Sequence, residues 1–190
     1  MLFRSGVTSA PTVGLGGVQV YYDNFAAPVM YAQANQINVQ VPWEIAGQST
    51  TQLQIQYGGA QAGSVSLPVS QALPGVFFIE NSDGAFNSPA NPARPGDFVA
   101  IYGTGGGAMS PAGITGGTWP LTPLSYLAQA VSATVGTETA QVLYGGSAPT
   151  LGTGFFQIDV LLPSDLTAGT QTLSVAVGGA ASVPVAISIQ

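Results

Sequence analysis

The chain of 190 residues has no lysine, no histidine and no cysteine, and its only cations are Arg4 and Arg94. Without those residues the Ser–His, Cys–His and Ser–Lys pairs of nucleophilic catalysis cannot be assembled. A zinc or copper site built from His or Cys is excluded as well. No disulfide can staple the fold, so a hydrophobic core must suffice alone. Charged residues make up only 5% of the chain and the net charge is -6, against about 25% charged residues in an ordinary domain. With no basic patch, neither nucleic acid nor an anionic lipid surface is an expected partner. There is no apolar run of about 18 residues, so no membrane span is expected. Met1-Leu2-Phe3-Arg4 is too short for a signal peptide, and the chain reads as a mature or excised piece.

What is present is apolar and turn-rich. Hydrophobic residues reach 46%, with 26 Gly and 14 Pro, so there is material for a core and for many turns. Disordered chains combine low hydrophobicity with high net charge, and this one does not. Its solubility has to rest on Gln, Asn, Ser and Thr. Surfaces of that kind are associated with secreted, cell-surface or polymeric proteins, and an extracellular or cell-surface location is the expectation.

One segment occurs twice. Gln36-Ile37-Asn38-Val39-Gln40-Val41-Pro42 returns as Gln157-Ile158-Asp159-Val160-Leu161-Leu162-Pro163. Alternation puts Ile37, Val39 and Val41 on one face of a strand, and the closing proline, having no N–H, ends it. Other pieces follow in the same order. Val18–Tyr22 is answered by Val131–Val135, and Val29-Met30-Tyr31 by Val142-Leu143-Tyr144. Gly47 is answered by Gly169, and Leu53–Ala60 by Leu173–Ala180; Val65–Val69 is answered by Val185–Ile189. The offset is 113 before a glycine-rich stretch at Gly145–Gly152 and 120 to 122 after it. Pro42–Gly47 reads as a loop with room for one helical turn. Short strands about 8–12 residues apart, separated by Gly, Pro, Asn and Asp, predict an all-β fold of sandwiches. The repeat predicts two of them in tandem, residues 1–72 and 73–190.

The second unit also carries Phe98–Tyr102 ahead of its repeat. The first has only Met1–Gly17 in that place, without an apolar alternation, and is expected to lack a strand. A sandwich short of one strand leaves an open edge and an uncovered strip of core. Val18–Tyr22 is the strand beside which a strand from another chain is sought.

Gly17-Val18-Gln19-Val20, Ala27-Pro28-Val29-Met30-Tyr31, Gln36–Pro42, Ala72-Leu73-Pro74-Gly75-Val76-Phe77 and Asn91-Pro92-Ala93 through Gly103-Thr104-Gly105 run in a familiar order. Together they resemble an uncharacterised C-terminal domain family of secreted Solibacter-type bacterial proteins, which is similar to immunoglobulin-like folds of the IPT/TIG class. The resemblance covers nearly the whole chain from about Gly17. In that family a Pro-Gly-x-x-Val-x-Ile-x-Gly strand usually precedes each Gly-Val-x-Val segment, and here Pro95–Gly103 supplies it for the second unit only. The resemblance implies export and a scaffold or surface role, and it brings no catalytic residues.

The remaining candidates for chemistry are few. A glycosidase needs two carboxylates facing a cleft, and Asp23, Glu44, Glu80, Asp83, Asp97, Glu138, Asp159 and Asp165 are the only ones available. Most neighbour Gly, Pro or Asn, where turn chemistry or solubility explains them. Glu80-Asn81-Ser82-Asp83-Gly84 offers oxygen ligands for Ca²⁺ but lacks the spaced set of a calcium loop. Gly103-Thr104-Gly105-Gly106-Gly107 has the glycines of a phosphate loop without its Lys or following helix. Trp43, Trp119, Tyr21, Tyr22 and Tyr126 are candidates for stacking on sugars, or else plugs for the ends of the core.

No catalytic, cofactor-binding or metal residue is therefore assigned. The leading expectation is a structural, non-enzymatic protein that self-assembles by adding a strand between subunits, head to tail, which builds filaments when the rotation does not close. The arm Met1–Ser9 or the terminal strand Val183–Gln190 is the expected donor. A carbohydrate-binding or adhesive module is the alternative, and a carboxylate hydrolase a remote third.

Overall fold

A computed structural model describes residues 13–190, and they are all-β, consistent with a β-sandwich. The expected donor arm Met1–Ser9 lies outside the described residues. The only helical piece among them is a 3-10 turn at Trp43–Ile45. The chain divides into two compact units. The first holds residues up to Ser70 together with Ala112–Trp119 and Gly152–Gly154, and the second holds the rest. Two short segments from the sequence of the second half thus belong to the first unit.

In the first unit, β1 (Val18–Tyr22), β2 (Phe25–Ala27), β3 (Val29–Gln33), β4 (Gln36–Val39), β5 (Thr50–Tyr57) and β6 (Ala60–Pro68) form two sheets. One has the order β2-β1-β5-β6 and the other is the pair β3-β4. Val18, Val20 and Tyr22 on β1 alternate into a core shared with Ala27, Val29, Ala32 and Ile45. The second unit contains β7 (Gly75–Asn81), β8 (Phe98–Thr104), β9 (Met109–Ser110), β10 (Tyr126–Leu127), β11 (Val131–Val135), β12 (Glu138–Ser147), β13 (Phe155–Leu161), β14 (Gly169–Val177), β15 (Ala180–Ala181) and β16 (Val185–Ile189). Its main path is β15-β14-β11-β12-β13-β8-β7, with β16 also on β14.

The repeat read from the sequence is reproduced in the ladders. β1 pairs β5 from Val18↔Tyr57 to Tyr22↔Leu53, and β11 pairs β14 from Val131↔Val177 to Val135↔Leu173. β3 and β4 share Val29↔Val39 and Tyr31↔Asn38 across a bulge. β12 and β13 share Val142↔Val160 and Tyr144↔Asp159 across the same bulge. The hairpins close alike, with positive φ at Gly58 and Gly59 (60° and 83°) and at Gly178 and Gly179 (59° and 86°). Two successive positive-φ residues make the type I′ turn that suits twisted strands, and Gly takes them without strain.

Pro28 explains why one half has two sheets and the other a continuous path. β12 passes from β11, through Ala140, to β13, from Gln141 onward. The matching stretch of the first half is broken at Pro28 into β2, on β1, and β3, on β4. Proline has no N–H for a ladder, but its carbonyl still accepts from the Gln40 N–H at 3.0 Å.

Where the halves differ is beside β4. Its counterpart β13 is paired along its whole length by β8, from Phe155↔Thr104 to Leu161↔Phe98, and β8 in turn by β7. β4 pairs only with β3 among the described residues. The expectation that the open strand would be Val18–Tyr22 is corrected: β1 lies between β2 and β5 and has no free edge. The terminal strand is corrected too, because Val185–Ile189 is β16, paired with β14, with Ile187 and Ile189 in the core. Pulling it out to serve a neighbour would open its own unit.

The paired positions predict unequal costs for one substitution. Ile158→Ala, at a completely buried site, should destabilise the second unit by about 2–5 kcal/mol. Ile37→Ala, at the equivalent half-buried site, should cost the first unit about 1–2 kcal/mol. Urea unfolding of both variants checks the difference.

Candidate functional site

The feature that sets the two halves apart is the outer edge of β4 and the core behind it. Ile37, Val39, Leu53, Ile55, Leu67 and Val69 pack on the first core but are only partly buried. Their six counterparts in the second unit are Ile158, Val160, Leu173, Val175, Ile187 and Ile189. The first five are fully buried and the last is 3% exposed. Near-identical side chains in the same register therefore differ in burial, and among the described residues β4 has nothing that answers the β8 and β7 beside β13.

The edge has backbone groups to offer. Because the Gln40 N–H turns to Pro28, strand alternation sends the N–H and C=O of Val39 and Ile37 the other way, to the unpaired side. The Gln36 side chain donates to Asn38 Oδ1 at 2.8 Å along the outer face, as Gln157 does to Asp159 Oδ1 at 2.8 Å.

Beyond Val39 the edge is closed by the two segments that join the first unit from later in the chain. Gln40 is buried; its Nε2 donates to Thr153 Oγ1 at 2.8 Å and its Oε1 accepts from the Gly116 N–H at 3.1 Å. Thr153 Oγ1 donates onward to Ile114 O at 2.6 Å. Thr115 Oγ1 accepts from the Trp43 N–H at 2.9 Å and donates to Glu44 Oε2 at 2.6 Å. The second copy of the motif has Leu161 where the first has Gln40, and the polar residue is explained by this loop contact. Nothing local in the sequence announced it, since the partners lie 76 and 113 residues away.

The other candidates fall in separate places. Trp119 is 3% exposed and meets Trp43 edge-on, with ring centroids 5.8 Å apart. Gly113 lies so close to the Trp43 indole that a Cβ there would overlap it. The two tryptophans thus pack on each other, as core plugs do, and Trp43 Nε1 is buried with no hydrogen-bond partner among the described residues. Tyr22 is buried in the first core, Tyr21 is half-buried, and Tyr126 stacks edge-on with Tyr144. The glycine run at Gly103–Gly107 is a packing device. A Cβ on Gly103, Gly105 or Gly107 would collide with Gly75 O, Leu73 O or Gln71 O, and Gly105 O accepts from the Leu73 N–H at 2.9 Å.

The carboxylates are tied into turns and strands. Asp23 accepts from the Gln52 N–H at 2.9 Å and Thr51 Oγ1 at 2.8 Å. Asp83 accepts from the Ala85 N–H at 2.9 Å and Asn91 Nδ2 at 3.1 Å. The Ala85 N–H, then Asn91, hold its carboxyl below the usual range. It lines a cleft with Asn81, Asn91, Arg94 and Asp97. Asp159 is raised by burial, against the pull of Gln157. Asp83 and Asp159 stand on different elements, a turn and β13. Among the described residues no three His, Cys, Asp or Glu side chains form a metal-binding group, the Glu80–Gly84 loop included. No described helix is long and apolar enough to cross a membrane.

No protein-family model matches the chain, and no curated protein matches it.

Two predictions follow from these contacts. Gln40→Leu, which copies the second repeat, strands the Gly116 N–H and should destabilise the first unit by about 1–3 kcal/mol; urea unfolding of the first unit reads it. Asp159→Asn copies the first repeat, and its effect depends on pH. A carboxyl whose folded pKa is raised binds its proton more tightly when folded, so it lowers stability as pH rises through that window. The variant should therefore melt higher than the native protein at pH 7 and equally at pH 3, and should flatten the intervening pH dependence.

Proposed function

We propose that the protein is a structural, non-enzymatic component of the extracellular space or cell surface, built of two tandem immunoglobulin-like units. It self-assembles by adding a strand at the open edge of the first. The single observation that carries the reading is the burial contrast between β4 and β13. Ile37 and Val39 are partly covered where Ile158 and Val160 are fully covered. A strand laid on β4 would pair the outward N–H and C=O groups of Ile37 and Val39 and shield the apolar strip behind them, two gains from one contact. The resemblance to secreted Solibacter-type domains and to the IPT/TIG class supports the same reading, since it implies export and a scaffold role. So does the lack of Lys, His and Cys, which leaves few side chains for catalysis.

Sedimentation velocity over a concentration series, with negative-stain microscopy of the most concentrated samples, tests the proposal. The native protein should form oligomers or filaments. Val39→Pro removes one outward N–H from an edge strand, where proline is tolerated, and should leave the protein folded but monomeric. A native protein that stays monomeric at high concentration with its first unit folded would overturn the reading.

A further inference from the structure

We propose that the strand added to β4 is the free edge of β7 from a second copy, so that copies join head to tail. This rests on the reading of β4 as an acceptor. β7 ends the sheet path of the second unit and, among the described strands, is paired only by β8. Toward its C-terminal end the other edge is closed by its own chain. The Asn87 N–H donates to Ile79 O and the Asn81 N–H to Ala85 O, both at 2.9 Å. That leaves Gly75–Phe78 open, and a Cβ added to Gly75 would meet nothing within 4 Å. On β4 the open stretch is Gln36–Val39, beyond which Gln40 is buried under its loop contacts. The two windows are equal in length, four residues each.

The windows also match in chemistry. Natural edge strands are usually guarded by lysine, proline or inward charge. Neither window contains a charged residue or a proline, and the chain has no lysine at all. β7 brings exposed apolar surface in Phe77, 58% exposed, with Phe86 of the returning segment, 64% exposed, beside Phe78. β4 brings the half-covered Ile37 and Val39. A neighbour's β7 would arrive with its own β8 behind it, adding two strands beside β4, as β8 and β7 lie beside β13 within the chain. Strands already in use do not compete: β8 is paired on both sides, and β16 is paired with β14 and buried from Ile187 to Ile189, where Ala93 bonds its other edge. Among other edges, β2 has three residues, and the exposed side chains of β6 are mostly small or polar. Since β4 and β7 are different surfaces, the contact is heterologous, and it builds a ring or an open filament depending on whether the rotation closes.

Mixing two blocked variants tests this. The first is Val39→Pro with Asn38→Lys, which blocks β4. The second is Phe77→Lys, which charges β7; Gly75→Lys, in open space, serves the same purpose if Phe77→Lys unfolds. Each should sediment as a monomer alone. An equimolar mixture retains one intact β4 and one intact β7 per pair, and should form dimers and nothing larger. If the native protein is monomeric, the assembly reading and this proposal fall together. If the native protein assembles and the β4 variant does not, but both folded β7 variants still assemble, the reading stands and β7 is not the donor. Dimers formed by either variant alone would show a self-complementary contact and overturn the head-to-tail arrangement.

Discussion

A β-strand buries its core-facing side chains fully only when something lies along both of its edges. The backbone demands it first, because each uncovered edge presents N–H and C=O groups that need partners. The side chains follow, because the neighbouring strand also supplies the apolar neighbours that complete their burial. β13 meets both demands, lying between β12 and β8. β4 carries nearly the same residues in the same register and, among the described residues, meets them on one side. The partial burial reaches beyond β4 to Leu53, Ile55, Leu67 and Val69 on and after the opposite strands β5 and β6. The counterparts of all six are buried in the second unit.

The first unit is completed by other means where strands are lacking. Residues 112–119 and 152–154 close over the end of β4 through Gln40 and Thr153. Irregular backbone cannot be packed onto a core without pairing its polar groups, and here buried side chains do the pairing. Gln40 has given up the apolar side chain its repeat position holds elsewhere so that the Gly116 N–H is satisfied. Pro28 makes a complementary adjustment by ending β2 and freeing β3 to run in the other sheet, while its carbonyl still holds Gln40.

Much of the fold was legible in the sequence because the repeat acts as an internal standard. The Gln-Ile-x-Val motif and the matching alternations marked which segments correspond, and the corresponding strands pair in the same register, with a shared bulge that the sequence did not announce. Among the described residues no strand of the first unit answers Phe98–Tyr102, and that gap was legible in the same way. Its position was misjudged, because sequence order places the gap before Val18 whereas pairing places it beside Gln36–Val39. Chain order does not reveal which strands become neighbours when a connection crosses between sheets. The exchange of loop segments was invisible for a related reason: Gln40, Trp43 and Glu44 meet Thr115, Gly116 and Thr153 across long stretches of chain, and no local periodicity encodes such contacts. The glycine run at Gly103–Gly107 was legible as a constraint but not as to kind, since close backbone approach and phosphate binding both call for glycine.

The same composition that leaves few side chains for catalysis also bears on assembly. Charge does two things on a β-protein surface: it keeps copies apart, and it guards edges against pairing. With 2 cations and 8 anions in 190 residues, this chain does little of either, and Gln, Asn, Ser and Thr take over the contact with water. Such side chains hydrate a surface without imposing long-range repulsion, and they form hydrogen bonds with one another when two surfaces meet. An open edge on a highly charged protein would be shielded by its surroundings. On this one, the groups of β4 that are unpaired among the described residues and the exposed rings beside β7 carry little of that shield, and under the proposed assembly the fit of one edge to the other would set their pairing.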